Sequence, residues 1–423
     1  MVLLGIDLPD FFGRFFYMNI DIWRPTVPDH SPEISLTESQ GGMARRLWLE
    51  RFLPAAELIS HHSEVLFTGI GGGASLEAGR TDLPLRHGDG TQVPYYVDLE
   101  EKFGQVPKVL FLTASTMFAD DVVGLLSVAQ EYKDQGVVTI IPILTACSHE
   151  RQDHKWRNAD GSRILQPITV DTVTKMLLAT PADQRGPLCD GALVLGLHSL
   201  RPVITAAEFG FPLIPIDPYN FMVGGAGLRF KEHLVVLSPD KGRKNEGIRL
   251  AHELNVPYGA CEKVRARETN GDAAVVLKDS RLLEYIRQMR STVVYFDDEI
   301  REATTMAGGR IAVAGAAQNL IIVSFKGIFA RLRGRQTTAA ELLAKPLPDN
   351  NRFEHEEIII SDAVQPVESI EPVRDKLTVL PLAGAIEKMV TYLQQNPIPL
   401  NERWLREATA GLLELNLVRE EYD

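Results

Sequence analysis

Five polar clusters in this chain combine residue types and spacings that could do chemistry. Asp297 and Asp298 stand side by side after the apolar run 293–296 and are followed by Glu299, Arg301, Glu302, Thr304 and Thr305. Adjacent carboxylates at a strand end can accept hydrogen bonds from the vicinal hydroxyls of a sugar or hold a metal through its waters. The same stretch also reads as a solvated acidic turn capping the next helix. Ser238, Pro239 and Asp240 close the run 234–237 and lead into Lys241, Gly242, Arg243 and Lys244. A carboxylate beside a glycine turn and three cations suits a phosphate held with Mg²⁺, although Pro and Gly also make an ordinary turn. His198 follows the run 192–197, where a lone histidine serves either packing or proton and metal chemistry. Arg151, Gln152 and Asp153 follow the run 139–144, and Arg151 suits an anion or a stacked base. His149, Asp153 and His154 match no standard metal-ligand spacing. Lys263, Arg265 and Arg267 alternate with small or apolar residues ahead of Glu268, Asn270 and Gly271, the pattern of a mobile cationic loop or of a solvated edge strand.

The elements that must position these clusters are legible as short apolar, β-branched runs at 65–68, 109–113, 137–144, 192–197, 213–216, 234–238, 293–296, 320–325, 357–360 and 377–380. Helix-length segments such as 119–134, 243–254 and 280–290 lie between them, so strand and helix alternate. That alternation predicts α/β layers around mostly parallel sheets, whose ligand sites lie beyond the carboxyl ends of the strands. Four of the five clusters above follow such a run. A seam is expected at 217–227, a stretch of Pro, Asn and three glycines. Ahead of the first run, residues 1–35 have no clean period and read as an irregular arm. Leu47, Trp48, Phe52, Ala55, Ala56 and Ile59 then fall at helical spacing within 43–59. Past 381, helices are expected at 382–395 and 401–416, split by Pro397 and Pro399.

Composition narrows the function classes. The chain has 423 residues, enough for two or three domains, with 45% hydrophobic and 24% charged residues, which excludes disordered and fibrous classes. A net charge of −12 disfavours nonspecific attraction to nucleic acid or to an anionic membrane, and favours small anions held in a local basic pocket. Cys147, Cys189 and Cys261 lie far apart and form no CxxC pair, so a reducing cytoplasm is expected. Asp7, Asp10 and Arg14 interrupt the first apolar stretch before secretory or membrane-spanning length, and no other run approaches the roughly 18 residues that a membrane helix needs.

In chain order, Arg151-Gln152-Asp153, Leu197-His198, Ser238-Pro239-Asp240, Lys263-x-Arg265 and Asp297-Asp298 resemble the RQD, LH and SPD motifs, the Lys-x-Arg flexible loop and the paired-Asp ribose phosphate loop of the ribose-phosphate pyrophosphokinase family, the phosphoribosyl pyrophosphate (PRPP) synthetases. Arg86-His87-Gly88-Asp89-Gly90 is similar to that family's RFPDGE adenine-binding loop, and Lys326-Gly327-Ile328-Phe329 to its HGxF motif. The resemblance covers about residues 64–390. It implies an α/β fold of two pseudo-symmetric type I phosphoribosyltransferase-like domains with mostly parallel sheets, 64–217 on the ATP side and 218–380 on the sugar side, with the active site between them. Residues 1–63 and 381–423 would be N- and C-terminal extensions. It also implies Mg²⁺-dependent transfer of the β,γ-diphosphoryl group of ATP to the anomeric hydroxyl of ribose 5-phosphate, releasing AMP, in a cytoplasmic homo-oligomer. On that basis Arg151, Gln152 and Asp89 would contact ATP, and His198 and Asp240 would lie at the Mg²⁺–ATP site. Lys263 and Arg265 would act on the triphosphate together with His198. Asp297, Asp298, Arg301, Thr304 and Thr305 would form the acceptor loop.

The acceptor side departs from the family pattern. Where the family loop continues as xxDTGGT, this chain reads Glu299 to Thr305 without either glycine, so the backbone cradle for a 5-phosphate is altered. Glu302 would add like charge near a phosphate dianion, at roughly 4 kcal/mol for two unit charges 4 Å apart in an effective dielectric of 20. Gly196 replaces the acid that often precedes the LH pair, and Lys241-Gly242-Arg243-Lys244 replaces a Gly-rich stretch. Retained donor chemistry with a changed acceptor pocket is the expectation, the acceptor being for instance a nucleotide-linked ribose or another phosphosugar. The rival reading is a catalytically weak or inactive regulatory subunit related to PRPP synthetase, against which the preserved Lys263 and Arg265 argue. Gly69, Gly71, Gly72, Gly73 and Ala74 give a GxGxxA-like spacing that reads as a dinucleotide cradle or as a tight turn, and no Walker loop occurs.

Overall fold

The computed structural model describes residues 63–68, 70, 85–86, 92–93, 96–147, 149, 169–177, 187–198, 201–209, 211, 213–216, 218–239, 244–265, 273–348 and 351–395. They divide into two compact units, one built on residues up to 217 and from 386, the other on Pro218–Ala385. The helices expected at 43–59 and 401–416 lie outside the described residues.

The first unit runs β1 (Ser63–Phe67), β2 (Leu85–Arg86), β3 (Gln92–Val93), α1 (Leu99–Phe103), β4 (Val109–Thr116), α2 (Ala119–Asp134), β5 (Thr139–Cys147), α3 (Thr169–Met176), β6 (Ala192–Leu195), α4 (Arg201–Glu208) and β7 (Leu213–Ile216). Its sheet has the order β1-β4-β5-β6-β7 with every pair parallel. β4 and β5 are buried along their whole length, as strands covered on both faces must be, which is why they read as continuous apolar runs. Helix α2 buries Val122, Leu125, Val128, Ala129 and Tyr132, spaced by three and four on one face. Its first turn is fixed by Asp121, whose carboxylate accepts from the Phe118 N–H at 2.8 Å.

The second unit runs α5 (Tyr219–Gly225), β8 (Leu234–Ser238), α6 (Lys244–Leu254), β9 (Tyr258–Ala260), β10 (Glu262–Arg265), β11 (Ala273–Val276), α7 (Ser280–Gln288), β12 (Thr292–Ile300), α8 (Thr304–Val313), β13 (Asn319–Gly327), α9 (Ala339–Ala344), β14 (His355–Ser361) and β15 (Leu377–Leu380), and α10 (Ala383–Gln395) follows. Its six-stranded sheet, β15-β14-β13-β12-β8-β9, is parallel throughout. Caps set the helix starts where the sequence supplies them: Asp279 accepts from Arg281 and Leu282 N–H at 3.0 Å each, and Thr338 with Glu341 forms a capping box.

Setting β9 aside, β8-β12-β13-β14-β15 repeats the order β1-β4-β5-β6-β7, and each unit inserts a two-stranded antiparallel hairpin and a helix between the first two strands of that order. This α/β repeat with parallel sheets is the expected fold class. The second unit differs in that the chain leaves β8 for β9 at one edge and then returns across β8 to β12. The stretch read as either a loop or an edge strand at 263–267 begins as strand β10, with Lys263 opposite Val275 and Arg265 opposite Ala273. Strands β9 and β11 have three and four residues, too short for an apolar run to announce them. Among the described residues no helix is long and apolar enough to cross a membrane.

Candidate functional site

Reversal of strand order between β8 and β12 creates a topological switch point, and in open parallel sheets the crevice outside such a point is where ligands bind. β12 outruns its neighbour there. Its ladder to β8 stops at Tyr295 opposite Leu237, whereas its ladder to β13 continues to Ile300 opposite Gly327. Asp297 and Asp298 sit on the overhang, both half-buried. The Asp298 N–H donates to Asp297 Oδ1 at 2.9 Å, which orients the first carboxylate. β8 ends beside them in buried Ser238, whose Oγ accepts from the Tyr258 hydroxyl at 3.1 Å. Helix α6 closes on that end at Gly247, where an added Cβ would stand 2.6 Å from Tyr258 Cε2.

Strand alternation places Asp297 and Glu299 on one face and Asp298 on the other. Glu299 is 7% exposed and takes both arms of the Arg301 guanidinium, Nε at 3.1 Å on Oε1 and the terminal nitrogen at 3.3 Å on Oε2. Arg301, expected to serve the acceptor loop, is thus engaged with a buried carboxylate of its own strand. In the β12–β13 ladder Glu299 stands opposite Lys326, only 1% exposed, and Lys326 forms an isolated antiparallel backbone bridge with Asp362, 8% exposed. A buried ammonium persists only with opposite charge beside it. Backbone pairing thus sets Glu299, Lys326 and Asp362 side by side, with Arg301 on Glu299, so that two acids and two cations fall in one row.

The loop that follows is pinned by backbone. Ile328 and Phe329 N–H both donate to Ile300 O at 2.9 Å, and Ala330 N–H donates to Arg301 O at 2.8 Å. The Lys326-Gly327-Ile328-Phe329 segment therefore holds the end of the acid strand. Gly327 is required there because Ile360 packs directly against the position a Cβ would occupy, with its Cγ2 at 3.1 Å. Ala303 caps α8 with φ 56°, a left-handed residue without a glycine, and Thr304 and Thr305 open the helix. The structure brings Asp297, Asp298, Arg301, Thr304 and Thr305 together in one strand, loop and helix start, and puts positions 263 and 265 on the β10–β11 hairpin of the same unit.

His198 belongs to the first unit. β6 ends at Leu195, Gly196 turns the chain with φ 59° while its N–H donates to Ile216 O at 2.9 Å, and half-buried His198 follows. Beyond it, Arg201 at the start of α4 grips Asp171 of α3 with two hydrogen bonds of 2.8 and 2.7 Å, and Thr205 Oγ1 adds a third at 2.6 Å. Partial burial pushes the Asp171 carboxyl up, but Arg201, Thr205 and Lys175 outweigh it and hold its pKa below the usual carboxylate value.

Asp89, Arg151, Gln152 and Asp240 lie outside the described residues, as do the glycines at 69–73. Among the described residues, no group of three or more His, Cys, Asp or Glu is placed to hold a metal ion. Sequence reading missed the partnership of Glu299, Lys326 and Asp362. The signal was the period-2 continuation of β12 through the acidic triplet, together with a lysine where the HGxF motif carries histidine.

No protein-family model matches the chain. It is 23% identical over 222 residues to a ribose-phosphate pyrophosphokinase of Clostridium tetani, covering 51% of this chain and 61% of that protein. It is 23% identical over 206 residues to a ribose-phosphate pyrophosphokinase of Sulfurisphaera tokodaii, covering 48% and 62%. The matches thus span about three-fifths of the length of these relatives. Among solved structures, phosphoribosylpyrophosphate synthetase from Mycobacterium smegmatis aligns at a TM-score of 0.49 and 21% identity, over 68% of this chain and 82% of that one. Adenine phosphoribosyl transferase from Trypanosoma brucei aligns at 0.24 and 16% identity, over 40% and 76%. With its ordered motifs and these two sequence relatives, the chain is a divergent relative of the ribose-phosphate pyrophosphokinases.

Proposed function

We propose that this protein is a Mg²⁺-dependent diphosphotransferase that moves the β,γ-diphosphoryl group of ATP to the anomeric hydroxyl of a ribosyl acceptor and releases AMP. The observation that carries the reading is the half-buried carboxylate pair Asp297–Asp298 at the switch point of the second sheet, in a chain whose sequence relatives are ribose-phosphate pyrophosphokinases. In this reaction the acceptor oxygen attacks the β-phosphorus, the bond from that phosphorus to the oxygen bridging to the α-phosphate breaks, and the hydroxyl proton is lost. No side-chain nucleophile is needed. Positioning and cationic stabilisation of the β-phosphoryl oxygens supply most of the acceleration.

In this reading Asp297 and Asp298 accept hydrogen bonds from the ribose hydroxyls, and Lys263 and Arg265 act on the migrating diphosphate from the hairpin. Arg151, Gln152 and Asp89 bind ATP. His198 and Asp240 hold the metal with its phosphates. Mg²⁺ prefers carboxylate oxygens and retained waters, which the acidic strand end of the second unit suits. When bound, it supplies charge neutralisation of the triphosphate. The acceptor is a ribosyl compound other than ribose carrying a bare 5-phosphate. Arg301 is engaged with Glu299, Lys326 is buried, and the loop has no glycine pair with which to wrap a dianion. A homo-oligomer in the cytoplasm is the proposed state.

Purified protein mixed with Mg²⁺, ATP and a panel holding ribose 5-phosphate, free ribose, other phosphosugars and nucleotide-linked riboses with a free anomeric hydroxyl is expected to release AMP with at least one acceptor other than ribose 5-phosphate. Lys263→Ala is expected to abolish that release. Silence across the panel, or AMP release unchanged by Lys263→Ala, would overturn the reading, and silence would favour an associated subunit without activity.

A further inference from the structure

The β10–β11 hairpin does not stand alone on the second unit. Helix α8, which begins in the acceptor loop, passes beneath it with a glycine at the point of contact. A Cβ at Gly308 would stand 2.6 Å from Val275 Cγ2 and 2.8 Å from Val275 Cβ, closer than carbon atoms approach without displacement. Val275 is the residue opposite Lys263 in the hairpin ladder and is 7% exposed. The next residue, Gly309, meets β12 as closely: an added Cβ would stand 2.8 Å from Tyr295 Cζ. The fully buried Tyr295 hydroxyl donates to Gly309 O at 2.9 Å and lies 3.3 Å from Sγ of Cys261, the residue just before β10. Burial raises the Tyr295 pKa well above the ordinary phenol value, so the donor persists across the working pH range.

A single helix, two residues into its second turn, is therefore in contact with one strand of the hairpin and with the strand that ends in Asp297 and Asp298. Cys261 extends the contact to the start of the other hairpin strand. Helical glycine has no conformational advantage of its own, since alanine at an open site in a helix is the more stable residue. Paired glycines at 308 and 309 mark close approach.

We infer that Gly308, Val275 and Tyr295 are positioning residues: the contacts of Gly308 with Val275 and of Gly309 with Tyr295 fix the cationic hairpin and the acid strand on the helix that begins in the acceptor loop, so that a change at the start of α8 is transmitted to positions 263 and 265. The role in catalysis rests on the diphosphotransfer reading. The mechanical tie between hairpin and helix does not.

Gly308→Ala tests both, read by amide hydrogen exchange at Glu262–Arg265 and Ala273–Val276 and by AMP release. Helix propensity alone would slow exchange and raise the melting temperature. The contact predicts the reverse, with exchange faster by about tenfold or more in both hairpin strands and kcat lower by about a hundredfold, the scale of a 1 Å misplacement. Because both Val275 Cβ and Cγ2 obstruct the new methyl, the compensating partner is glycine. Gly308→Ala combined with Val275→Gly is expected to return kcat to within about threefold of wild type and to slow hairpin exchange again. If Gly308→Ala does not fold, Val275→Ala thins the same contact without adding an atom and is expected to quicken hairpin exchange in the same direction. Unchanged exchange in these variants overturns the tie. Faster exchange with kcat unchanged overturns the positioning role. A wild-type protein that releases no AMP removes the catalytic reading, while the exchange arm still decides whether the hairpin rides on α8.

Discussion

β4 of the first unit closes on Thr113, Ala114, Ser115 and Thr116, whereas its counterpart β12 in the second closes on Asp297, Asp298, Glu299 and Ile300. The two strands hold the same place in a repeated strand order, yet their ends are built for different work. In β4 the hydroxyls turn inward: Thr113 Oγ1 donates to Leu66 O at 3.2 Å, Thr116 Oγ1 donates to Ala146 O at 2.8 Å, and Ser115 is fully buried. The two threonine hydroxyls satisfy themselves on the backbone of a neighbouring strand, while the buried Ser115 hydroxyl has no hydrogen-bond partner among the described residues. Asp297 and Asp298, by contrast, stay half-buried at the carboxyl end of the sheet, with β9 drawn to the far side of β8 so that a switch point opens beside them. A repeated frame can thus be neutral at one strand end and charged at the other by changing the last residues of a single strand.

The comparison breaks first at those residues. Asp297→Asn should lower AMP release by about a hundredfold or more, the scale of losing a group that orients the acceptor, while Ser115→Ala on the matching edge should stay within about threefold. Equal effects in the same assay would erase the distinction. Next comes the buried charge row, which the first sheet lacks among its described residues. Lys326→Met leaves Glu299 and Asp362 with a single cation and should destabilise the protein by about 3–5 kcal/mol in thermal or urea unfolding. Adding Glu299→Gln should recover part of that loss, and a fully additive double variant would show the residues to be uncoupled.

Smaller effects belong to the first unit. Asp171→Asn removes a charge from the Arg201 and Thr205 hydrogen bonds and should cost about 1–2 kcal/mol. Because the folded pKa of Asp171 lies below the ordinary 3.8, its contribution is present above that value and is lost as pH falls through the lower folded pKa. Wild type and Asp171→Asn should therefore differ in stability at neutral pH and converge only in strong acid. The smallest signal is an absence. Burial first, and the neighbouring Asp190 charge second, push the Cys189 thiol up to about 12. At pH 8 roughly one thiol in ten thousand would be ionised, so Cys189 should resist alkylation until the protein unfolds. Rapid native-state labelling at Cys189 would mean that the first core opens far more readily than its packing implies.

Much of the frame was legible because both central strands and covering helices obey short-range rules. The apolar run at 109–113 became β4, and the helix-length segment 119–134 became α2 with those bounds. The hairpin was half-legible. Alternation at 263–267 left loop and edge strand open, and the decision came from a partner, Ala273–Val276, ten residues downstream. In the candidate site, the adjacency of Asp297 and Asp298 was plain, but Glu299 looked like one more acid in a solvated turn. Its burial against Arg301, in register with Lys326, depends on how far β12 continues alongside β13.

The sequence by itself determined the alternation of strand and helix, the order of the chemical clusters and the likeness to a family, because each depends on residue type and spacing along the chain. Tertiary structure alone decided that β9 takes the far edge and opens a switch point, that Lys326 is buried with its backbone between those of Glu299 and Asp362, and that Gly308 brings α8 against Val275. Those outcomes depend on which strands become neighbours and how closely they pack, and residues brought together across 27 to 36 positions of chain, as Glu299 is to Lys326 and Lys326 to Asp362, leave no local periodicity from which their meeting can be read.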